Sequence, residues 1–153
     1  MTISEKVKCH FLIHSFAIAC GAGNAVPTPG VGIAVDIAGM ASMCMGLAAI
    51  FSGDAEDSIK KGLLLTAIKR YLTKEALKEL AKNGSKKATK ELAKWMALTV
   101  LKREGAKVAA KEASKTIPVL GTVLSSTMSV CMIEAAGWKI AKDMEDARRE
   151  LAA

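Results

Sequence analysis

The residues best equipped for chemistry are few. Cys9, His10 and His14 lie close together, and the four-residue step from His10 to His14 puts both imidazoles on one helix face. Such a pair can hold two corners of a tetrahedral metal site, but no carboxylate or further cysteine is spaced to complete one. The favoured reading is therefore a pair of core or interfacial histidines, with a metal-dependent enzyme through Cys9, His10 and His14 as a distant rival. Asp36 and Glu134 both sit in apolar surroundings. A carboxylate so placed needs a cap, a lysine or a polar joint between helices, and the two make a poor catalytic pair. Gly21-Ala-Gly23-Asn24 follows no strand, and no Gly-Lys-Ser or Gly-Lys-Thr occurs anywhere, so a phosphate loop is not expected. Catalytic residues, a cofactor and a metal are all expected to be absent, and the chain is not expected to be an enzyme.

The remaining chemistry is positive charge. Between Lys60 and Lys115 there are 16 Lys or Arg against five Glu, whereas the two flanks together are net negative. Lys74, Lys78, Lys82, Lys86, Lys90 and Lys94 fall every four residues, and Arg103, Lys107, Lys111 and Lys115 repeat the step. Four residues advance a helix by about 400°, so each series drifts only about 40° per step and draws a basic stripe. The first reading of such stripes is a solvated face steadied by neighbours such as Glu75 with Lys78 and Glu79 with Lys82. The alternative is an anionic lipid surface, where each lysine contributes on the order of 1 kcal/mol. Nucleic acid is disfavoured, because Tyr71 and Trp95 are the only aromatics among the stripes and Arg is scarce.

These stripes must be carried by helices. Half of the 153 residues are apolar but only 4% are aromatic, and the apolar mass is Ala, Leu, Ile, Val and Met, which favours packed helices over a β-sandwich. The chain is long enough for one domain with a real core. The stretch Asn24-Ala-Val-Pro-Thr-Pro-Gly-Val-Gly-Ile-Ala-Val-Asp36 organises it. Pro27 and Pro29 stop a helix there, and Gly30 lets the backbone turn. From Val31 to Phe51 Asp36 is the only charge, while Gly32, Gly39, Gly46 and Gly53 recur every seven residues and Ala34, Ala38, Ser42 and Gly46 every four. Both strips invite close approach of a second helix, expected to be the one before the turn. A second turn at Thr116-Ile-Pro-Val-Leu-Gly-Thr122, with Pro118, opens a last helix whose Gly121, Ser125 and Ser129 echo the strip.

The expected fold is all-α, a bundle of about five or six helices built on two apolar helical hairpins. Its parts are an apolar hairpin (1–53), a basic helical middle (54–115), and the second proline-glycine turn with a long C-terminal helix (116–153). Expected helices run from Ser4 to Gly23, from Val31 to a cap at Gly53, and from Ala55 behind an Asp54 cap to Leu72. A short segment follows from Thr73 to Lys82, broken at Asn83-Gly84. Another starts at a Ser85 cap and runs to Ser114 with a weak point at Gly105, and the last runs from Pro118 or Val119 to Leu151 with a charged tail from Lys139. The stretch from Val31 to Phe51 is also long enough, about 21 residues, to span a bilayer, but a buried core helix is equally apolar all round and is the favoured reading. Cys9, Cys20, Cys44 and Cys131 lie in apolar runs without paired spacing, so buried reduced thiols are expected over a disulfide framework. Lys6 and Lys8 precede an apolar run as in a secretory leader, but His10 and His14 interrupt it and no small-residue cleavage site follows. The expectation is a cytoplasmic chain that can attach peripherally to a membrane.

Two segments, Val26-Pro-Thr-Pro-Gly-Val-Gly-Ile-Ala-Val-Asp36 and Ile117-Pro-Val-Leu-Gly-Thr-Val-Leu-Ser-Ser126, together with the tail Lys142-Asp-Met-Glu-Asp-Ala-Arg148, carry a likeness to a known pattern. In order and separation they resemble the C-terminal helical region of the immunity-related (interferon-inducible) GTPases, across nearly the whole chain. Helical domains attached to bacterial GTPases have a similar turn. The GTP-binding domain of the family is missing here, so GTP hydrolysis does not carry over. What the resemblance implies is a helical fold, association with membranes or with copies of itself, a GTPase partner, and a link to cell-autonomous defence. With the basic stripes, the expected function is a non-enzymatic interaction module docking on an anionic membrane surface or a GTPase partner and able to self-associate. The alternative is a membrane-inserting or pore-forming helical protein.

Overall fold

The computed structural model describes residues 1–26, 28, 30–53, 56–72, 74, 78, 82, 88–114 and 120–153. Its described elements are six helices and no strand: α1 (Ile3–Gly23), α2 (Val31–Ser52), α3 (Asp57–Lys69), α4 (Thr89–Arg103), α5 (Gly105–Ser114) and α6 (Leu120–Ala152). The protein is an all-α bundle. Local chemistry accounts for most of the ends. Thr2 and Glu5 form a reciprocal capping box at α1, with the Glu5 N–H donating to Thr2 Oγ1 at 3.2 Å and the Thr2 N–H to Glu5 Oε2 at 2.7 Å. Gly30 (φ +83°) opens α2 and Gly53 (φ +61°) closes it, both in the left-handed half of backbone space that a side chain would penalise. The weak point expected at Gly105 is a break at Glu104, where α4 ends and α5 begins.

Helices α2 and α6 are the centre of the bundle. The former packs on α1, α3, α4 and α6; the latter on α1, α2, α3 and α5. The expected close hairpin of α1 and α2 is present, and glycine is what allows it. A Cβ on Gly39 would collide with Cys20 Sγ, and one on Gly46 would come within 2.9 Å of both Leu12 methyls. The same device joins α6 to this pair, since a Cβ at Gly137 would lie 2.7 Å from Ile13 and 2.9 Å from Met43 Sδ. The two apolar segments therefore share a single core, lined by Ile13, Met40, Met43, Leu47, Ile133 and Ile140 and their buried neighbours.

Two expectations change. Ala34, Ala38 and Ser42 were expected to face a helix but are exposed; α1 leans on the Gly39 and Gly46 side of α2 and leaves this strip uncovered. The stretch beyond Lys139 is not a free charged tail. Ile140, Ala141, Met144 and Ala147 are buried, and Arg70, the residue that caps α3, reaches Asp146 at 2.9 Å and Glu150 at 2.5 Å. Arg148 closes the other side onto Glu5 at 2.5 Å. The Pro27, Pro29 and Pro118 turn positions, the Asp54 and Ser85 caps, and the break at Asn83-Gly84 lie outside the described residues. The helix expected to start at Ser85 is described from Thr89, whose hydroxyl donates to Asp57 Oδ2 at 2.6 Å and ties the starts of α3 and α4 together.

Candidate functional site

One end of the bundle holds a charge pair entirely out of water. Asp36, in the second turn of α2, is 1% exposed and its Oδ2 is ion-paired with the Lys111 ammonium of α5, itself 1% exposed. The other carboxylate oxygen accepts from Asn24 Nδ2 and from Ser129 Oγ, each at 2.8 Å. Asn24 also donates to the Cys20 carbonyl at 2.9 Å, and so caps the end of α1 while holding the start of α2. Four helices or their ends thus converge on one carboxylate. Buried charge is costly unless paired and hydrogen-bonded, and Asp36 has all three partners. The cluster fixes the register of α5 against α2 and α6.

Above the pair lies an apolar groove between α2 and the α4–α5 arm. Ala34, Ile37, Ala38, Ala41, Ser42 and Met45 of α2, with Lys90 and Lys94 of α4, line a cavity of about 670 Å³. A second cavity of about 490 Å³ adjoins it at Ile37 and is lined by Ile33, Leu98, Leu101, Lys102, Val108 and Ala109. Because α2 and α4 run in opposite directions, Lys90 and Lys94 stand near the C-terminal half of α2 and Lys102 near its start. The groove lies open along Ala34, Ala38 and Ser42, which are exposed. Asp36 is its only acidic lining residue among those described, and that carboxylate turns inward to Lys111.

The expected basic stripe is accordingly split. Lys74, Lys78, Lys82, Lys90 and Lys94 are exposed. Among the described residues neither Lys90 nor Lys94 has an ion-pair partner. Lys107 is exposed but paired with Glu104 at 2.6 Å. One member is corrected. Lys111 is no surface cation: the drift of the four-residue step carries it onto the inner face of α5, where Asp36 attracts it. Arg103 is exposed, and its guanidinium donates to the Tyr71 carbonyl at 2.9 Å and lies 5.2 Å over the Tyr71 ring, where it closes the open end of α3. Lys86 and Lys115 lie outside the described residues. Of the packing residues, Gly32, Ser125 and Ser129 are buried, Gly39 and Gly46 touch α1, and Gly121 stands in the first turn of α6.

The histidines occupy the outer face of α1. Their rings stack at 5.8 Å, and His14 Nδ1 lies 3.2 Å from Glu134 Oε1, which gives Glu134 its partner. Cys9 faces the opposite way, into the core. Among the described residues no three His, Cys, Asp or Glu side chains gather as a metal site. Beside the histidines, Ile3, Val7, Phe11 and Ile18 form an exposed apolar edge. Burial raises the thiols of Cys20 to about 11 and Cys44 to about 12, which leaves them poor nucleophiles, while Cys131 is exposed.

No family model, curated protein or solved structure matches the chain. The groove and the buried cluster escape a reading of sequence for different reasons. Asp36 signals its need of a partner by its isolation in an apolar run, and Ser129 is a polar residue in another such run. That Lys111 and not a neighbouring lysine answers depends on how α5 lies across α2.

Proposed function

We propose that this chain is a non-enzymatic helical interaction module that docks on an anionic membrane surface through the open face of α2 and the lysines beside it. The observation that carries the reading is the pairing of an uncovered apolar groove with exposed cations, Lys90 and Lys94, along one wall. Apolar area supplies attraction to the acyl boundary and lysines supply attraction to acidic headgroups, the two components of interfacial binding. Lys74, Lys78 and Lys82 add to the positive field. The resemblance to the helical region of immunity-related GTPases supports the same proposal. It adds a GTPase partner on a separate chain, self-association and a setting in cell-autonomous defence. Flotation with vesicles tests the reading. The protein should rise with vesicles containing acidic lipid, stay behind with neutral vesicles, and be released as salt shortens the range of the charges. Flotation indifferent to lipid charge and salt would remove the electrostatic part.

One observation favours a second reading. Val31–Ser52 is long and apolar enough to cross a bilayer, and only 33% of its most apolar window is buried. Full insertion would have to break the Asp36–Lys111 pair or carry it into lipid, at a cost of several kcal/mol. Resistance to extraction by alkaline carbonate would favour insertion; release would favour surface docking.

A further inference from the structure

We infer that the groove between α2 and α4 is a lipid-chain site: one acyl chain of an anionic phospholipid lies along it, with the phosphate held by Lys90 and Lys94. The inference rests on the docking reading above and names what that face takes hold of.

Shape and lining point to a chain. The two cavities adjoin at Ile37 and together border α2 from Ile33 to Met45. From Ile33 to Met45 there are twelve helical steps, which span about 18 Å at the helical rise of about 1.5 Å per residue. One leaflet of a bilayer is about 15 Å of hydrocarbon, half of a core of roughly 30 Å. A lipid chain fits that length, and the lining is what a chain prefers: Ile33, Ile37 and Met45 on one side, Leu98 and Val108 on the other. A compact polar metabolite would find few donors or acceptors along it.

Charge sets the class of the lipid, and the pairing of Lys90 with Lys94 sets its orientation, since among the described lining residues Lys102 stands as a single cation at the other end. Lys90 and Lys94 are one helical turn apart on α4, on the same wall, so two ammonium groups can flank one phosphate. The carboxylate of Asp36, committed to Lys111 within the bundle, does not oppose an anion there. A zwitterionic headgroup brings its own cation toward those lysines and loses much of the attraction. The tail then points toward Val108 and the end of α4, where the groove is least polar.

The test uses the full chain and a soluble single-chain lipid below its micelle concentration. Lysophosphatidylglycerol is titrated calorimetrically in vesicle-free buffer, with lysophosphatidylcholine of the same chain length as the neutral control. Saturable one-to-one binding with a clear preference for the anionic lipid is expected. Ala38→Trp, at an exposed position, should block the slot; losing contact with even two methylenes weakens binding about tenfold. Ala34→Trp provides a second obstruction if the first variant unfolds. Lys90→Glu with Lys94→Glu should abolish the preference while leaving the weaker binding of the neutral lipid.

Absence of binding to the wild type, or tryptophan variants that bind as well as it does, overturns the inference. Flotation of the same samples separates the two levels. Wild type that floats with acidic vesicles but ignores the lysolipid keeps the docking reading and loses the chain site. Wild type that takes the lysolipid but does not float keeps the chain site and loses the docking reading.

Discussion

Replacing Lys111 with Met is the sharpest perturbation of the fold. The ammonium is 1% exposed and faces a carboxylate that is also 1% exposed, so neither charge is stabilised by water. Methionine keeps most of the side-chain volume and leaves Asp36 with its two 2.8 Å hydrogen bonds from Asn24 and Ser129 but no cation. Leaving one half of a buried pair uncompensated costs about 3–5 kcal/mol. Against a total stability of about 5–15 kcal/mol for a domain of this kind, that is a large fraction. At about 2–4 °C per kcal/mol for a chain of this length, the melting temperature should fall by roughly 10 °C. Urea unfolding followed by circular dichroism measures the loss. The double variant Asp36→Asn with Lys111→Met tests its cause, because the amide oxygen still accepts from Asn24 and Ser129 and no charge is left to compensate. It should recover more than half of the deficit. A Lys111→Met protein within about 1 kcal/mol of wild type would refute the buried pair, as would a double variant no better than the sum of its singles.

Three further outcomes follow from the packing and the charges. Gly39→Ala should lose about 1–3 kcal/mol in the same urea assay even though alanine is the better helix former, because its Cβ meets Cys20 Sγ. The Arg148 guanidinium, followed by the Thr2 N–H, lowers the Glu5 carboxyl from 4.5 to about 2. A carboxyl depressed in the fold stabilises it above pH 4.5 and loses that contribution as pH falls toward 2, so Glu5→Gln should flatten the acid limb of the pH–stability curve. Under native conditions at pH 8 a disulfide reagent should titrate Cys131 quickly, and Cys9, Cys20 and Cys44 only as the protein unfolds.

Much of the architecture is legible in the chain. Gly30 announces the start of α2, the seven-residue glycine step announces a close helix, and Gly105 marks a break, because each of these acts locally on the backbone. The contact of Gly39 with Cys20 follows from that local logic. The fate of Ala34, Ala38 and Ser42 does not, since a strip of small residues is equally suited to a neighbour helix and to the floor of a groove. Which of the two it becomes depends on where α4 lies. Lys111 shows the same limit for charge. A four-residue step places it on a stripe with Lys107, but the drift of about 40° per step turns it inward, and only its distance to Asp36 reveals a role in the core. Arg148 and Arg70 look like an ordinary charged tail and its distant counterpart until α6 is laid against α1 and α3. Long-range pairings of this sort carry no period in sequence.

The docking reading is tested most directly by asking which face meets the bilayer. In a Cys131→Ser background, whose remaining thiols are buried, Ala38→Cys and Phe11→Cys each carry an environment-sensitive fluorophore, one in the groove and one on the exposed edge of α1. Acidic vesicles should shift the emission of the label at position 38 to the blue, neutral vesicles should leave it unchanged, salt should reverse the shift, and the label at position 11 should stay in water. A shift at position 11 with none at 38, or an equal shift with neutral vesicles, would contradict the account.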